Sequence, residues 1–555
     1  MNYVSSLVTS LIAALAVSTS QAAPVEKPVA PILTGSGQVA GMVLPSGVKA
    51  WFGVPFAQPP TGQLRWQPPR ALSWKGVWNA DRKMPECMQV LRPHDINHYF
   101  GEEATSEDCL YLNIWAPGNA TARSRLPVVV FIYGGGGTIG SSGMASYGGE
   151  NVALHNAVFV NFNYRVGVLG FLAHPELTKE QGGHSGNYAY LDQNAALRWI
   201  HDNIERFGGD PARVVIMGQS AGAGSVVQQT YSPLSKGLFS GAVMSSGCNW
   251  GGTAVSLADG EKNGVDIQKR LGAASLAELR NIPADKIIAQ QSENQVGTSV
   301  TGGIRATGII DGYFMPKAQM DILKAHEFND VPIIASFNHD ESVGALMNAQ
   351  SIDEYRGIAR RMYGADAEAF LALYPASGLA DVKRVGLQVA REGSLESNAR
   401  NCASLQTQYN KSKAYIDTFS RRHSYAPGVK ISDQDLTTIG AYHTADIPFW
   451  FGTLDAFNLV RTTRNWSPAD RELSEKMMAA LLAFAATGNP STKDQEWPAW
   501  SPQNEVKMEF GGAGKPAEVV KLNTHGLDWL KAHVAQPMNV APGTGGNRII
   551  AGPRD

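Results

Sequence analysis

The sequence predicts an α/β fold: a central, mostly parallel, twisted sheet with helices on both faces. Three stretches carry that reading. Leu126-Pro-Val-Val-Val-Phe-Ile-Tyr133 is a continuous apolar run, the pattern of a strand buried on both faces, and it leads straight into Gly134-Gly-Gly-Gly137. Residues 157–231 alternate between strand-like and helix-like segments, as a parallel sheet with right-handed crossovers requires. The third is Arg213-Val-Val-Ile-Met-Gly218-Gln219-Ser220-Ala221-Gly222-Ala-Gly-Ser225, an apolar strand, a sharp turn and a helix, with one serine at the apex.

The remaining elements follow in chain order. Residues 1–22 read as an export signal: an apolar core too short to span a bilayer, closed by the small-x-small pair Ser20 and Ala22. No Lys or Arg precedes that core, which departs from the usual pattern. Residues 36–56 read as antiparallel strands around the Pro45-Ser46-Gly47 turn, and residues 106–115 enter another strand. Residues 157–165 form the strand after the glycine run, and residues 192–204 a helix. Phe207-Gly-Gly-Asp210-Pro211 then turns the chain into the strand that ends at the serine. Further strands are expected at 241–246, 331–337 and 414–419, with a last one inside 507–522. Residues 250–330 read as helices and loops capping the sheet's carboxyl edge, and residues 535–555 as an extended or disordered tail.

Composition narrows the function classes. The 555-residue chain has a net charge of −2 and 17% charged residues, so no strong field invites nucleic acid or an anionic membrane. Past the leader, no run is long and apolar enough for a membrane helix. Four cysteines (Cys87, Cys109, Cys248, Cys402) in an exported chain, with no C-x-x-C pair, favour disulfides over metal. His94 and His98 have helical spacing but stand in a loop-like polar stretch, so no metal site is expected.

The serine turn has a chemical reading. A serine hydroxyl is a weak nucleophile and must project where a base can reach it. Gly218 and Gly222 let strand and helix meet at a tight turn, and the helix that follows aims its unpaired N–H groups at the place where an oxyanion would form. The glycine run 134–137 is either a flexible turn or a set of bare N–H groups brought close to a ligand oxygen.

These segments together resemble the type-B carboxylesterase/lipase family of α/β-hydrolases, relatives of cholinesterases and liver carboxylesterases. The resemblance rests on Trp51-Phe-Gly-Val-Pro-Phe-Ala-Gln-Pro-Pro60, Ser106-Glu-Asp-Cys-Leu-Tyr-Leu-Asn113, Tyr133-Gly-Gly-Gly136, Asn163-Tyr-Arg-Val-Gly167, Phe207-Gly-Gly-Asp-Pro211 and Gly218-Gln-Ser-Ala-Gly222, in the family's order through most of residues 36–460. It implies one α/β-hydrolase catalytic domain, set at residues 23–534, with a helical and loop cap over the site. It implies Ser220 as nucleophile, Glu341 in Asn338-His-Asp-Glu-Ser342 as acid, and His443 in Gly440-Ala-Tyr-His443 as base. Asp340, next to Glu341, is the rival acid. The backbone N–H groups of Gly135, Gly136 and Ala221 match the oxyanion donors, and Cys87 and Cys109 match the family's first disulfide. Cys248 and Cys402 are free to pair, though nothing local requires it. Hydrolysis of a small-molecule carboxylic ester through an acyl-enzyme then needs no cofactor. The implied protein is exported to periplasm or medium, as a monomer or small homo-oligomer. A lipase acting on long-chain acylglycerols and a non-catalytic adhesion relative are the alternatives.

Departures from the family pattern sharpen this. The nucleophile's neighbour is Gln219, where relatives often carry Glu; Gly137 stands where many have an aromatic; and residues 88–108 hold only Tyr99 and Phe100, with no tryptophan. These set the chain apart from the cholinesterases and leave general ester hydrolysis as the expected activity. Gly137, Gln219 and Trp450 are the substrate-pocket candidates. A neutral Gln219 also removes a carboxylate that would favour protonated His443. With Gly137 leaving space beside the oxyanion hole, Gly137→Phe should lower kcat/KM for bulky esters more than for small ones, and equal losses would count against that pocket.

Overall fold

The protein is described by a computed structural model over residues 27–91, 104–252, 255–293, 295–296, 299–300 and 308–533. The expected export leader (residues 1–22), the expected tail (residues 535–555), His94, His98, Tyr99 and Phe100 lie outside these residues. One 12-stranded sheet organises the chain. Its strands are β1 (Lys27–Pro28), β2 (Met42–Val43), β3 (Lys49–Pro55), β4 (Tyr111–Ala116), β5 (Leu126–Ile132), β6 (Val158–Phe162), β7 (Gly209–Gln219), β8 (Gly241–Ser245), β9 (Ile333–Asn338), β10 (Ala414–Phe419), β11 (Val506–Phe510) and β12 (Ala517–Lys521). They lie in the order β1-β2-β3-β4-β6-β5-β7-β8-β9-β10-β11-β12. From β6 to β11 every pair is parallel, while β1 to β4 and β12 add antiparallel edges.

The central strands are apolar because both their faces are covered. Val128 to Ile132, all of β6 and all of β8 are buried. Five helices matter for the site: α1 (Tyr188–Asn203), α2 (Ala221–Tyr231), α3 (Leu395–Tyr409), α4 (Ile447–Trp450) and α5 (Pro468–Thr487). Helix α5 has the signals of a long helix in one place: Ser467 and Asp470 form a reciprocal capping box, Pro468 opens the first turn and Gly488 closes the last at φ 74°. The expected single strand within 507–522 is instead the β11–β12 hairpin. The reversal at residues 511–516 is closed by the Gly511 N–H donating to the Pro516 carbonyl at 3.0 Å.

The cap residues pack on the loops that leave the sheet's carboxyl end. Gln291, in the helix Ala284–Glu293, accepts from the Val168 N–H at 3.0 Å, and Asn187 and Ile309 exchange two hydrogen bonds. Arg65 joins the amino-terminal turn to this cap: it forms a two-bond ion pair with Glu107 (2.6 and 2.5 Å) and donates to the carbonyls of Arg280 and Ile282. Helices Ile352–Tyr363, Ala367–Leu373 and Leu379–Glu392 enclose a smaller core of their own, with Tyr355, Phe370 and Val385 inside it.

Two disulfides are present, Cys87–Cys109 and Cys248–Cys402, the second tying the loop after β8 to α3. They bridge separations of 22 and 154 residues. In the chain-entropy model loops of these sizes are worth about 3 and about 5 kcal/mol. Replacing Cys248 and Cys402 by serine should therefore lower the denaturant midpoint more than replacing Cys87 and Cys109, and the reverse order would show that native-state packing outweighs loop entropy.

Candidate active site

The site starts from a backbone conformation. Ser220 follows β7 at φ 58°, ψ −124°, a region that side-chain-bearing residues avoid, and it heads α2. Such a residue costs on the order of 1–3 kcal/mol and persists only where its surroundings fix it. They do so by contact and by hydrogen bond. A Cβ on Gly218 would fall 2.2 Å from the Gly222 carbonyl oxygen, and one on Gly222 would fall 2.1 Å from that of Ile132, so strand and helix meet at a distance only glycine permits. The Ser220 N–H donates to the Ser245 carbonyl at 2.8 Å, and the Ser220 carbonyl accepts from Gly224 at 3.0 Å.

The glycine run packs against this elbow. A Cβ on Gly134 would lie 2.9 Å from the Ser220 Cβ. Gly135, Gly136 and Gly137 stand at φ 105°, 63° and 70°, three consecutive left-handed residues, which is why the chain needs glycine here. The turn is closed by Thr138 and Ile139 donating to the Gly135 carbonyl, and Gly137 is pinned by its carbonyl accepting from Gly167 at 2.7 Å. Gly167 opens the short helix Gly167–Phe171, two residues after Arg165, which makes a buried two-bond pair with Asp192 of α1 at 2.8 and 2.7 Å. Among the described residues, no acceptor is bonded to the N–H groups of Gly135, Gly136 or Ala221. At Gly137→Phe, the left-handed backbone adds about 1–2 kcal/mol of strain for every substrate alike, so its size effect is read from the ratio of large to small esters.

Glu341 and His443 come together. Glu341, with 0% side-chain exposure, accepts the Asn338 N–H on Oε1 at 2.7 Å and holds His443 Nδ1 on Oε2; the His443 ring keeps 23%. The opposite ring nitrogen, Nε2, faces the elbow, 3.2 Å from the Gln219 amide nitrogen. Burial pulls the His443 pKa down, but the Glu341 hydrogen bond and charge, joined by the charge of Asp446, outweigh it and hold the ring above the ordinary imidazole value.

Asp340, the rival acid, is committed elsewhere. It accepts the Ala441 N–H at 2.7 Å and faces His339 Nδ1 at 2.6 Å, so it anchors the backbone of the histidine loop rather than the ring. Burial pushes its carboxyl up, yet His339, the Ala441 N–H and Arg391 bring it below the usual range.

Trp450 is corrected from pocket candidate to core anchor. It is fully buried in α4, packs edge-on against Phe510 at 5.5 Å, and donates its indole N–H to Asp446 at 3.2 Å. Asp446 itself was missed as a functional group. It is fully buried, accepts from Ser245 Oγ at 2.6 Å and from Asn338 Nδ2 at 3.0 Å, and so joins β8, the acid segment and the histidine loop. Burial raises its pKa; the Ser245 and Asn338 bonds offset this only in part. Its one sequence signal is its place three residues after His443.

A strained serine between strand and helix at the carboxyl end of a mostly parallel sheet defines the α/β-hydrolase fold. The family model "Carboxylesterase family" matches residues 27–525, and the chain belongs to that family. It is 32% identical over 488 residues to the fumonisin B1 esterase of Sphingopyxis macrogoltabida, covering 86% of each chain. It is 30% identical over 532 residues to the human (Homo sapiens) cocaine esterase, covering 90% of each. Among solved structures, a PNB esterase superposes with a TM-score of 0.70 at 26% identity, over 90% of this chain and 99% of that one. The protein is a carboxylic ester hydrolase.

The two acids make separable predictions. Glu341→Gln should cut kcat by roughly 10³-fold or more, as loss of the residue that orients a catalytic histidine does. Asp340→Asn keeps an acceptor for the Ala441 N–H and should retain most of the activity. Steady-state kinetics in the reverse order would exchange their roles.

Proposed function

We propose that the chain hydrolyses small-molecule carboxylic esters through a Ser220–His443–Glu341 triad and an acyl-enzyme. The observation that carries this is the buried Glu341 carboxylate on His443 Nδ1, with Nε2 turned toward the serine elbow. His443 Nε2 takes the Ser220 proton as Oγ bonds to the ester carbonyl carbon. The carbonyl oxygen becomes an oxyanion and is received by the N–H groups of Gly135, Gly136 and Ala221; loss of one such donor costs about 3 kcal/mol of transition-state stabilisation. The tetrahedral species collapses, the C–O bond to the alcohol breaks, and His443 returns the proton to the leaving alkoxide. Water, deprotonated by the same nitrogen, then attacks the acyl carbon, and Ser220 leaves with its proton restored. Throughout, Glu341 keeps the ring in the Nδ1–H tautomer and stabilises its charged form. A glycine at position 137, with no side chain beside the proposed oxyanion donors, supports bulky acyl or alcohol groups as substrates.

Residues 1–22 act as an export signal in this reading, and the two disulfides suit an oxidising compartment.

Ser220→Ala and His443→Ala should each lower kcat by about 10⁴-fold or more with the fold intact. A fluorophosphonate should label the wild-type chain once, at Ser220. Since the base works only when neutral and its pKa is held up, the acidic limb of kcat/KM should lie above the ordinary value of about 6.5. Labelling at another residue, or undiminished turnover in Ser220→Ala, would overturn the triad.

A further inference from the structure

Gln219 closes β7 one residue before Ser220, with 1% of its surface exposed. Its amide Nε2 lies 3.2 Å from His443 Nε2. The other ring nitrogen is held by Glu341, an acceptor-only carboxylate, so Nδ1 carries the proton and Nε2 of the neutral ring presents a lone pair. An amide NH₂ can only donate. The contact is therefore an N–H···N bond that exists while His443 is neutral. Once Nε2 gains a proton, two donors face each other.

The backbone aims this amide. Gln219 pairs with Ser245 in the sheet, which fixes the direction of its side chain. Its Oε1 rests over the bare Gly134, where a Cβ would stand 2.9 Å away, so the oxygen side is packed against the glycine run and the NH₂ is left for the ring.

We propose that Gln219 is a positioning residue for the catalytic base, its amide donating to His443 Nε2 and holding the resting imidazole unprotonated and turned toward Ser220. The proposal rests on the triad reading and adds to it. A neutral residue at this position does more than lack a charge: it supplies a donor that favours the bare nitrogen. Among the described residues, the titratable and charged groups around the ring include Glu341 on Nδ1, Asp446 at the start of α4, and Asp340 on the Ala441 N–H with His339 and Arg391 behind it. On the Tyr442 side stand His423 and Arg464. Glu341 and Asp446 draw a proton onto the ring; Gln219 opposes them at the one nitrogen that must accept the proton of Ser220. When Ser220 engages that lone pair, the amide gives it up.

The test is the pH dependence of kcat/KM on a neutral, soluble ester, together with that of fluorophosphonate labelling of Ser220. Both are read in Gln219→Met and Gln219→Glu, with folding checked by circular dichroism and melting temperature. Losing a hydrogen bond of ordinary net worth to the neutral ring should move the acidic limb of Gln219→Met to higher pH by about half a unit or more. Gln219→Glu should move it further, because a charge is added that favours the protonated ring. An unmoved limb in both variants overturns the proposal. So does a shift in Gln219→Glu alone, which would leave charge as the only effect at this position. Gln219→Leu serves as the apolar variant if Gln219→Met does not fold. A turnover-competent Gln219→Met with an unmoved limb counts against the amide alone, whereas an active Ser220→Ala would count against the triad itself.

Discussion

Ser220 is held at φ 58° and ψ −124°, and much of the surrounding structure is what keeps it there. The strain is tolerable because close contacts block relaxation: Gly218 against Gly222, Gly222 against the Ile132 carbonyl, Gly247 against the Ser220 carbonyl, where a Cβ would come within 2.4 Å. These contacts require the β5–β7–β8 strands to lie side by side, and their parallel register supplies that. The long apolar strands thus do two things at once. They fill the core, and they carry the turn that exposes one hydroxyl.

The proposed acid–base pair, Glu341 and His443, depends on a second layer of buried polar contacts. Asp446 links Ser245, Asn338 and Trp450, and Asn338 in turn gives its backbone N–H to Glu341 and its amide to the Tyr442 carbonyl. Asp340 pins Ala441 from the other side. Both loops that carry the pair are therefore anchored within a few residues of the working groups. A buried carboxylate left unpaired would be costly, and its several donors make Asp446 tolerable in the core. The same arrangement sets the charge on the base: two carboxylates draw a proton toward His443, and the amide of Gln219 lies against the other nitrogen.

The glycine run proposed to receive the oxyanion is supported by a different chain of contacts. Asp192 of α1 fixes Arg165, the helix Gly167–Phe171 that follows brings its first N–H to the Gly137 carbonyl, and the glycine run is thereby held against the elbow. Pre-set N–H groups need no reorganisation when charge develops, which is what makes such donors effective. Gln291 of the cap reaches the same helix at Val168, so cap and glycine turn share a support.

The sequence by itself determined whatever a few neighbouring residues encode. The two-sided burial of β5 shows in its apolar run, the elbow in the spacing of Gly218, Ser220 and Gly222, and the left-handed turn beside it in four successive glycines. In each, the chemistry of the backbone and the residues that satisfy it lie within one short segment. His443 is one of twelve histidines and was singled out through the family resemblance, since nothing in its local pattern marks a base. Glu341 and Asp340 are adjacent acids that the family resemblance ranked with Glu341 first and that no local pattern separates; the tertiary structure sends one carboxylate to a ring 102 residues away and the other to the Ala441 backbone. The Gln219–His443 contact spans 224 residues and the Cys248–Cys402 bridge 154. Trp450 and Asp446 were legible as residues of the histidine segment but not as core anchor and buried clamp. Pairings of that length are fixed only when the sheet sets its strands in register, because direction and distance between remote side chains are properties of the packed fold and of no local stretch of chain.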